Sequence, residues 1–589
     1  MIARLRALRR PGIGSFVIAT CLVVLAAYII YPIALLLVLS FNTAKSILTP
    51  PAVWGFSNWI EAWQFPGLLG SLVNSFQIWF LVTLFSFPLA ITISLILART
   101  NVHLSHKIEA LFWIAYIFPS LASTFGWVIL LDPDYGFLNE AMRLLPFVDV
   151  DEGPFNIFSV PGIVWARFMG DGLAFKVILL TPAFRNMDGA LEEASRVSGA
   201  SNIRTMLRVT IPVMAAPIIL TLSLQLLRVF QGFETEWIIG SRFGYFVYST
   251  LIYRLVRLSD TPQYGDAIVL GSITLLVIAA IVPLQRWIVG RRHYTTVDAS
   301  FRPGLFDLGR WRKAVTAGIL CIIGLLTALP VFVLIVGSFM TRIGFFNANP
   351  VWTVRHWGEV FTNNLFQDAL ATTMILAITA GILSPILFSL LAYVIVRTRL
   401  RGRTILDGMI WASAALPGIL VGLGLLLMFL TTPFLRPLFG TIWVLLIVVT
   451  ISGVTTGVNV LKGVMVQLGA SLEEAGRVAG AGWVRTYFRI VIPVLMPTMV
   501  LIGMLAFVSA AGTTSTIVLL ASRETTTLSL LALQYGAAGS KLEEAGIISL
   551  VIMVVTLGIA LPFRMLARRL GVRHDLTTDE AAVPPPIRT

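Results

Sequence analysis

Two segments hold most of the chemistry this sequence could do. Residues 191–212 read LEEASRVSGASNIRTMLRVTIP and residues 472–493 read LEEAGRVAGAGWVRTYFRIVIP, a constant offset of 281. With Val213 and Val494 included, 14 of 23 positions are identical, so the segment is an internal repeat. Their acids and arginines suit docking rather than catalysis: Glu192, Glu193 and Arg204 in one copy, Glu473, Glu474 and Arg485 in the other. A second candidate is FQGFETEWIIG, in which Glu234 and Glu236 align with Ser515 and Ile517 of the later copy. An ionisable residue at membrane depth is costly and marks a functional position by default. Glu234, with Glu236 and Ser515, is therefore a candidate to line a pathway that favours a cation. The plain alternative leaves Glu234 just outside the hydrocarbon, solvated in an external loop. Asp132 and Asp134 in LDPDYG cap a turn or contact a partner. No H-E-x-x-H, serine elbow or paired-carboxylate motif occurs, so no catalytic residue is assigned. Cys21 and Cys321 lie in apolar runs, and the five histidines fall in connections or tails, so neither a disulfide framework nor a metal site is expected.

The elements that must position these residues are membrane spans. Of 589 residues 57% are hydrophobic and only 12% charged, about half the charge a soluble surface needs. The net charge of +14 does not point to nucleic acid, because the basic residues sit in short clusters beside apolar runs. A helix needs about 20 apolar residues to cross the hydrocarbon. Spans are expected near 14–40, 72–98, 109–131, 157–182, 213–238 and 267–288, then near 314–340, 371–396, 407–431, 440–464, 494–520 and 544–566. The uncharged run from Pro11 to Ala44 is too long for a signal peptide and reads as an uncleaved first span after the basic MIARLRALRR. Basic clusters at Arg99 to Lys107, in both copies of the repeat, in the linker, at Arg397 to Arg403 and from Arg564 put both termini in the cytoplasm. The acidic connection 132–156 lies on the other face.

The repeat extends beyond the polar segment. Pro32 and Ser40-Phe41 match Pro330 and Ser338-Phe339 at an offset of 298, as do ART with VRT at 396–398 and FPS at 118–120 with LPG at 416–418. The later offset of 281 places an insertion of 17 residues between Pro119 and Leu191, most naturally in the acidic external connection. The expected fold is thus all-α and integral to the membrane, about twelve transmembrane helices in two parallel-repeat six-helix halves. Residues 1–289 form the first half, 290–313 a basic cytoplasmic linker, 314–567 the second half and 568–589 a cytoplasmic tail, disordered by composition. Each polar copy reads as helix, turn, helix: Gly199 and Gly480 allow a left-handed turn, and Pro212 and Pro493 open the next span. A single copy could be a solvated loop whose arginines only enforce orientation. Two matched copies imply two matched partner surfaces, as a homodimer presents.

At these residues the chain resembles a known family. Glu193, Ala194, Ser195, Gly199, Val209, Ile211 and Pro212, and again Glu474, Ala475, Gly476, Gly480, Ile490, Ile492 and Pro493, look like the EAA loop of importer-type ABC transporter permeases. The third position departs from the usual alanine, and both replacements are small. The resemblance covers both halves and implies a type I importer permease fold in a bacterial inner membrane. It implies that Glu192, Glu193, Ala194, Gly199, Arg204 and Pro212, with Glu473, Glu474, Ala475, Gly480, Arg485 and Pro493, couple to a homodimer of ATP-binding subunits. An extracytoplasmic binding protein would deliver the substrate. No Walker A motif is present, and GDGLAFKV at 170–177 is not one, so ATP and magnesium would belong to the partner and this chain would not be an enzyme. Length, fusion and the FETEWIIG segment resemble the ferric iron permeases; thiamine, polyamine and phosphonate permeases are related alternatives. The competing class is a secondary transporter with twelve helices in two parallel halves. Its characteristic G-x3-D-(R/K)-x-G-(R/K)-(R/K) loop is not matched by ARTNVHLSHK, which lacks the glycines and the acid.

Overall fold

A computed structural model describes residues 13–44, 52–145, 153–187, 189–290, 306–398, 402–469, 471–538 and 541–569. The basic stretch 1–10, most of the linker and nearly all of the tail lie outside the described residues. The first half contains α1 (Ala19–Leu39), α2 (Ser57–Gln64), α3 (Pro66–Arg99), α4 (Ser105–Ile117), α5 (Ser120–Leu131), α6 (Val160–Arg167), α7 (Leu173–Arg185), α8 (Ala190–Val197), α9 (Ala215–Leu227) and α10 (Tyr264–Gly290). The second half follows the same order with α11 (Gly309–Ser338), α12 (Arg355–Thr362), α13 (Asn364–Arg397), α14 (Arg403–Ser413), α15 (Gly418–Thr431), α16 (Ile442–Ile451), α17 (Val454–Gln467), α18 (Ser471–Val478), α19 (Ile492–Gly512) and α20 (Leu542–Arg569). No β-strand occurs among the described residues beyond three isolated bridges.

Among the described residues seven helices are long and apolar enough to cross a membrane, and four bent pairs raise the number to eleven. The remaining expected span, 157–182, is α6 and α7, which meet at a non-helical Gly170 and carry Arg167, Asp171 and Lys176.

The third span of each half differs from expectation. Instead of straight helices at 109–131 and 407–431, α4 turns into α5 by 90° and α14 into α15 by 113°. The cause is the repeated proline. Phe118 takes an extended backbone before Pro119, because proline excludes the helical region for the residue it follows. Pro417 is likewise extended before α15. The fifth spans also end early, at Phe230 and Gly512; Glu234 opens a separate helical stretch that continues through Glu236–Gly240, and Ser515 stands in a turn. Each half then adds a short buried helix that the sequence reading did not anticipate, Tyr248–Tyr253 and Leu528–Ala538. The extra length of the first half falls in residues 132–159, which replace the shorter connection 432–441, as expected. Asp132 caps a turn there, accepting from the amides of Asp134 at 3.0 Å and Tyr135 at 3.3 Å.

Both outer corners repeat as well. Trp59 donates to the Ser40 hydroxyl at 3.2 Å and Trp357 to that of Ser338 at 3.3 Å. Phe41 and Phe339 stack on the same two tryptophans, with centroids 5.8 and 5.6 Å away. The repeated Ser-Phe pair is thus a hook that lays α2 and α12 across the ends of α1 and α11.

The halves clasp each other through their first spans. Pro32 of α1 packs on Gly424 of α15, and Pro330 of α11 packs on Gly126 of α5. A Cβ added at either glycine would lie 2.6 or 2.7 Å from the proline ring, so only glycine allows the approach. Gly126→Val and Gly424→Val should each destabilise the full chain by about 1–3 kcal/mol through overpacking. Thermal unfolding in detergent measures this, and a variant as stable as the parent would show that the clasp is not tight.

Candidate functional site

The duplicated segment is built as two short helices joined by a left-handed turn. α8 closes at Gly199 and α18 at Gly480, with φ of +84° and +78°. Ala200 donates back to the Ser195 carbonyl at 3.1 Å and Ala481 to that of Gly476 at 2.9 Å, which satisfies carbonyls the helix end leaves open. The unusual third position explains itself here. The Ser195 hydroxyl meets that of Thr205 at 2.9 Å, whereas at Gly476 a Cβ would lie 2.7 Å from Ile490.

Each segment is fastened to the bundle by its first glutamate, not its second. Arg99, the last residue of α3, forms an ion pair with Glu192, and both side chains are fully buried. Arg99 also donates to the Met187 carbonyl at 3.0 Å, and Thr210 donates to Glu192 at 2.7 Å. In the second half Arg397, the last residue of α13, pairs with Glu473 at 3.0 Å and donates to the Leu468 carbonyl at 2.5 Å. Arg397 adds a second carbonyl, that of Met465 at 2.9 Å, and the hydroxyl partner changes. Val491 stands where Thr210 was, and Tyr393 supplies the hydroxyl to Glu473 at 3.1 Å instead. Glu192 and Glu473 therefore face inward and cannot reach a partner.

What does face outward is the rest of the motif. Glu193, Ala194, Arg204 and Pro212 are exposed, as are Glu474, Ala475, Arg485 and Pro493. They surround an apolar surface that repeats residue for residue: Leu191, Val197, Ile203 and Leu207 against Leu472, Val478, Val484 and Phe488. Val197 is 89% exposed and Val478 90%, so each segment presents an uncovered valine knob at the same place. Apolar side chains rimmed by charge mark interaction surfaces.

The acids of FETEWIIG part company. Glu234 is half-buried and accepts a hydrogen bond from Thr514 of the second half. Thr235 meets Thr124 of α5 at 2.9 Å, and the hydroxyls of Ser515 and Thr516 crowd Gly418 at the start of α15. Glu234 and Ser515 thus share a hydroxyl-rich seam where the two halves and the two bent helix pairs meet. The purely solvated placement of Glu234 does not hold. Glu236 turns the other way and pairs with Arg167 at 3.3 Å within the first half. Among the described residues no group of three or more His, Cys, Asp or Glu could hold a metal ion.

The sequence reading used Arg99 and Arg397 only as orientation signals, although their repetition at the end of a span was the available clue. It did not single out Arg167, Lys176 or Arg228. All three are ionisable residues inside expected spans.

Comparison with known proteins follows the same lines. Residues 385–571 match the family described as binding-protein-dependent transport system inner membrane component. A putative ferric transport system permease of Haemophilus influenzae is 26% identical over 377 residues, 63% of this chain and 58% of the relative. A ferric transport system permease of Actinobacillus pleuropneumoniae is 26% identical over 414 residues, 68% of this chain and 58% of the relative. A spermidine/putrescine permease of Escherichia coli is 28% identical over 192 residues, 32% of this chain and 67% of its own length. The matched part thus spans little more than half of the ferric relatives. A solved bacterial alginate ABC transporter, in complex with an alginate pentasaccharide-bound periplasmic protein, is 20% identical over 41% of this chain and 85% of its own, with a TM-score of 0.36. The family match and the ferric relatives bear out the resemblance to importer-type ABC permeases. The chain is a multi-pass, all-α membrane protein similar to ABC importer permeases, ferric transport permeases among them.

The buried pairs make a direct prediction. Glu192→Ala leaves a buried guanidinium uncompensated and should cost about 3–5 kcal/mol, whereas the double change Arg99→Met with Glu192→Leu should recover most of it. Thermal unfolding of the three proteins decides the matter. Equal stability of Glu192→Ala and the parent would mean the pair does not anchor the loop.

Proposed function

We propose that this chain is the permease subunit of an ATP-driven importer, forming the pathway through a bacterial inner membrane with both termini in the cytoplasm. The observation that carries the reading is the pair of surface segments with the same exposed Glu, Arg and valine knob, each locked to its own half by a buried ion pair. Two equal knobs fit two equal grooves, so the partner is a homodimer of ATP-binding subunits that keeps ATP and magnesium to itself. Closure of that dimer would move α8 and α18 together, and the Arg99–Glu192 and Arg397–Glu473 pairs would pass the motion to α3 and α13. An extracytoplasmic binding protein supplies the cargo on the far face.

Glu193→Lys combined with Glu474→Lys should abolish co-purification of the ATP-binding chain and reduce transport to background, while the permease itself stays folded because both side chains are exposed. Undiminished association, or substrate uptake into vesicles without any ATP-binding chain, would overturn the importer reading in favour of a secondary transporter.

Ferric iron is the proposed cargo, supported by the two ferric relatives, with thiamine, polyamines and phosphonates as the alternatives. Glu234, Ser515 and their neighbouring hydroxyls offer the hard oxygen donors such a cation prefers. Glu234→Gln should lower uptake about tenfold or more if the carboxylate meets the cargo, since hydrogen bonds to charged groups are worth roughly 1.5–3 kcal/mol. Normal uptake with coupled ATP hydrolysis would remove Glu234 from the pathway. Binding of Fe³⁺, thiamine, polyamines and phosphonates by the partner binding protein, measured side by side, selects the cargo.

A further inference from the structure

The repeat supplies an internal control. Features the fold requires occur in both halves: the Arg–Glu pairs, the proline-on-glycine clasps, the tryptophan hooks and the glycine turns. One feature occurs in the first half alone. A half-enclosed cleft of about 40 Å³ lies between α3, α6, α7 and the end of α9, lined among others by Trp79, Arg167, Lys176, Gln225, Arg228 and Glu236. At the offset of 281 the second half has Val448, Gly457, Ala506, Ser509 and Ile517 in place of Arg167, Lys176, Gln225, Arg228 and Glu236. There the space is filled. Phe388 packs so closely on Gly457 that a Cβ would lie 2.2 Å from its ring, while the first half has Ala90 for Phe388 and Lys176 for the glycine. Charges inside a bilayer are expensive, and the second half folds without them.

The groups in the cleft have a consistent polarity. Lys176, 1% exposed, donates to the Ser86 hydroxyl at 2.8 Å and the Gly172 carbonyl at 2.5 Å. Arg228 lies over the Phe175 ring at 4.0 Å, and Arg167 pairs with Glu236. Among the residues lining the cleft, Arg167, Lys176 and Arg228 outnumber Glu236. Two polar atoms stand out. The side-chain amide nitrogen of Gln225, a residue 6% exposed, is a buried donor with no partner among the described residues. The Oε2 of Glu236, 3% exposed, is a buried acceptor in the same position. Such orphans call for an occupant, since leaving a buried polar group unsatisfied costs about 1–3 kcal/mol. That occupant must accept a hydrogen bond from the Gln225 amide, donate one to the Glu236 carboxylate and suit a lining with more cations than anions.

We propose that this cleft binds a proton-bearing oxyanion, inorganic phosphate or a phosphomonoester, with Lys176, Arg228 and the Gln225 amide holding its oxygens and its hydroxyl donating to Glu236. Sulfate has the same shape but no proton to offer, so it would set an unshared oxygen against the Glu236 carboxylate and bind poorly. The site stands apart from the cargo proposed above and holds whichever cargo the transporter carries. Because Glu234 and Glu236 share one short helical stretch, occupancy of the cleft acts on the segment that meets the second half.

The test titrates inorganic phosphate, and sulfate in parallel, into the full chain purified in detergent, reading the unfolding temperature and the heat of binding. Saturable binding of phosphate and a preference over sulfate of about 10⁴-fold are expected, as for sites built around a ligand hydroxyl. Gln225→Leu, which removes the orphaned donor, should weaken phosphate binding about tenfold. Glu236→Gln should erase the preference over sulfate, and Glu359→Gln, the same charge change on the exposed α12, should alter nothing. Counting retained phospholipid in the same preparations distinguishes the sources: loss of a bound phosphatidic acid on Gln225→Leu supports the site with a headgroup as its natural occupant. The proposal is overturned if neither phosphate nor retained lipid responds to Gln225→Leu, or if sulfate binds as well as phosphate.

Discussion

An ion pair sealed away from water at the foot of the second span is the contact on which the rest of the assembly turns. Neither Arg99 nor Glu192 is solvated, so each is tolerable only in the presence of the other and of the carbonyl and hydroxyl that bond to them. That interdependence makes the attachment stiff. A surface loop held by apolar contacts alone could slide; one held by a charge that cannot be left bare has a single register. The second half reaches the same end with Tyr393 replacing the role of Thr210, which shows that satisfaction of the carboxylate matters, rather than which residue provides it.

The division of labour between adjacent glutamates follows from helix geometry. On α8 and α18, neighbouring positions point about 100° apart, so one acid can be spent inward while the next stays available outward. The same logic separates Glu234 from Glu236, which lie on opposite sides of one short helical stretch. In both places a pair of acids that looks redundant in the chain turns out to serve two surfaces.

Much of this was readable from residue order because the chain contains its own comparison. The offsets of 281 and 298 located the insertion, the surface helices and the glycine turns, and the turns adopt the left-handed backbone that a glycine at that position implies. The break in the third spans was encoded too, in FPS and LPG, but apolar length outweighed the proline in assigning straight helices. What no pattern could reveal was the seam joining Glu234 to Thr514 and the cleft around Lys176. Both depend on which helices become neighbours across long separations in sequence, and hydropathy carries no record of that. The partner of Arg99 was hidden for a similar reason: 93 residues separate it from Glu192.

The two halves reside in one polypeptide, and the cleft exists on only one side of their pseudo-symmetry axis. In a transporter assembled from two identical chains, any residue introduced near the axis appears twice, so a lysine or glutamate placed in the bilayer doubles its solvation penalty and confronts its own image. Covalent fusion lifts that restriction. One half can remain a conservative scaffold, with Phe388 against Gly457, while the other accumulates charge at single copy number. The fused architecture is then a licence for chemical specialisation, and sequence drift confined to one half of such a chain is where new ligand chemistry should be sought.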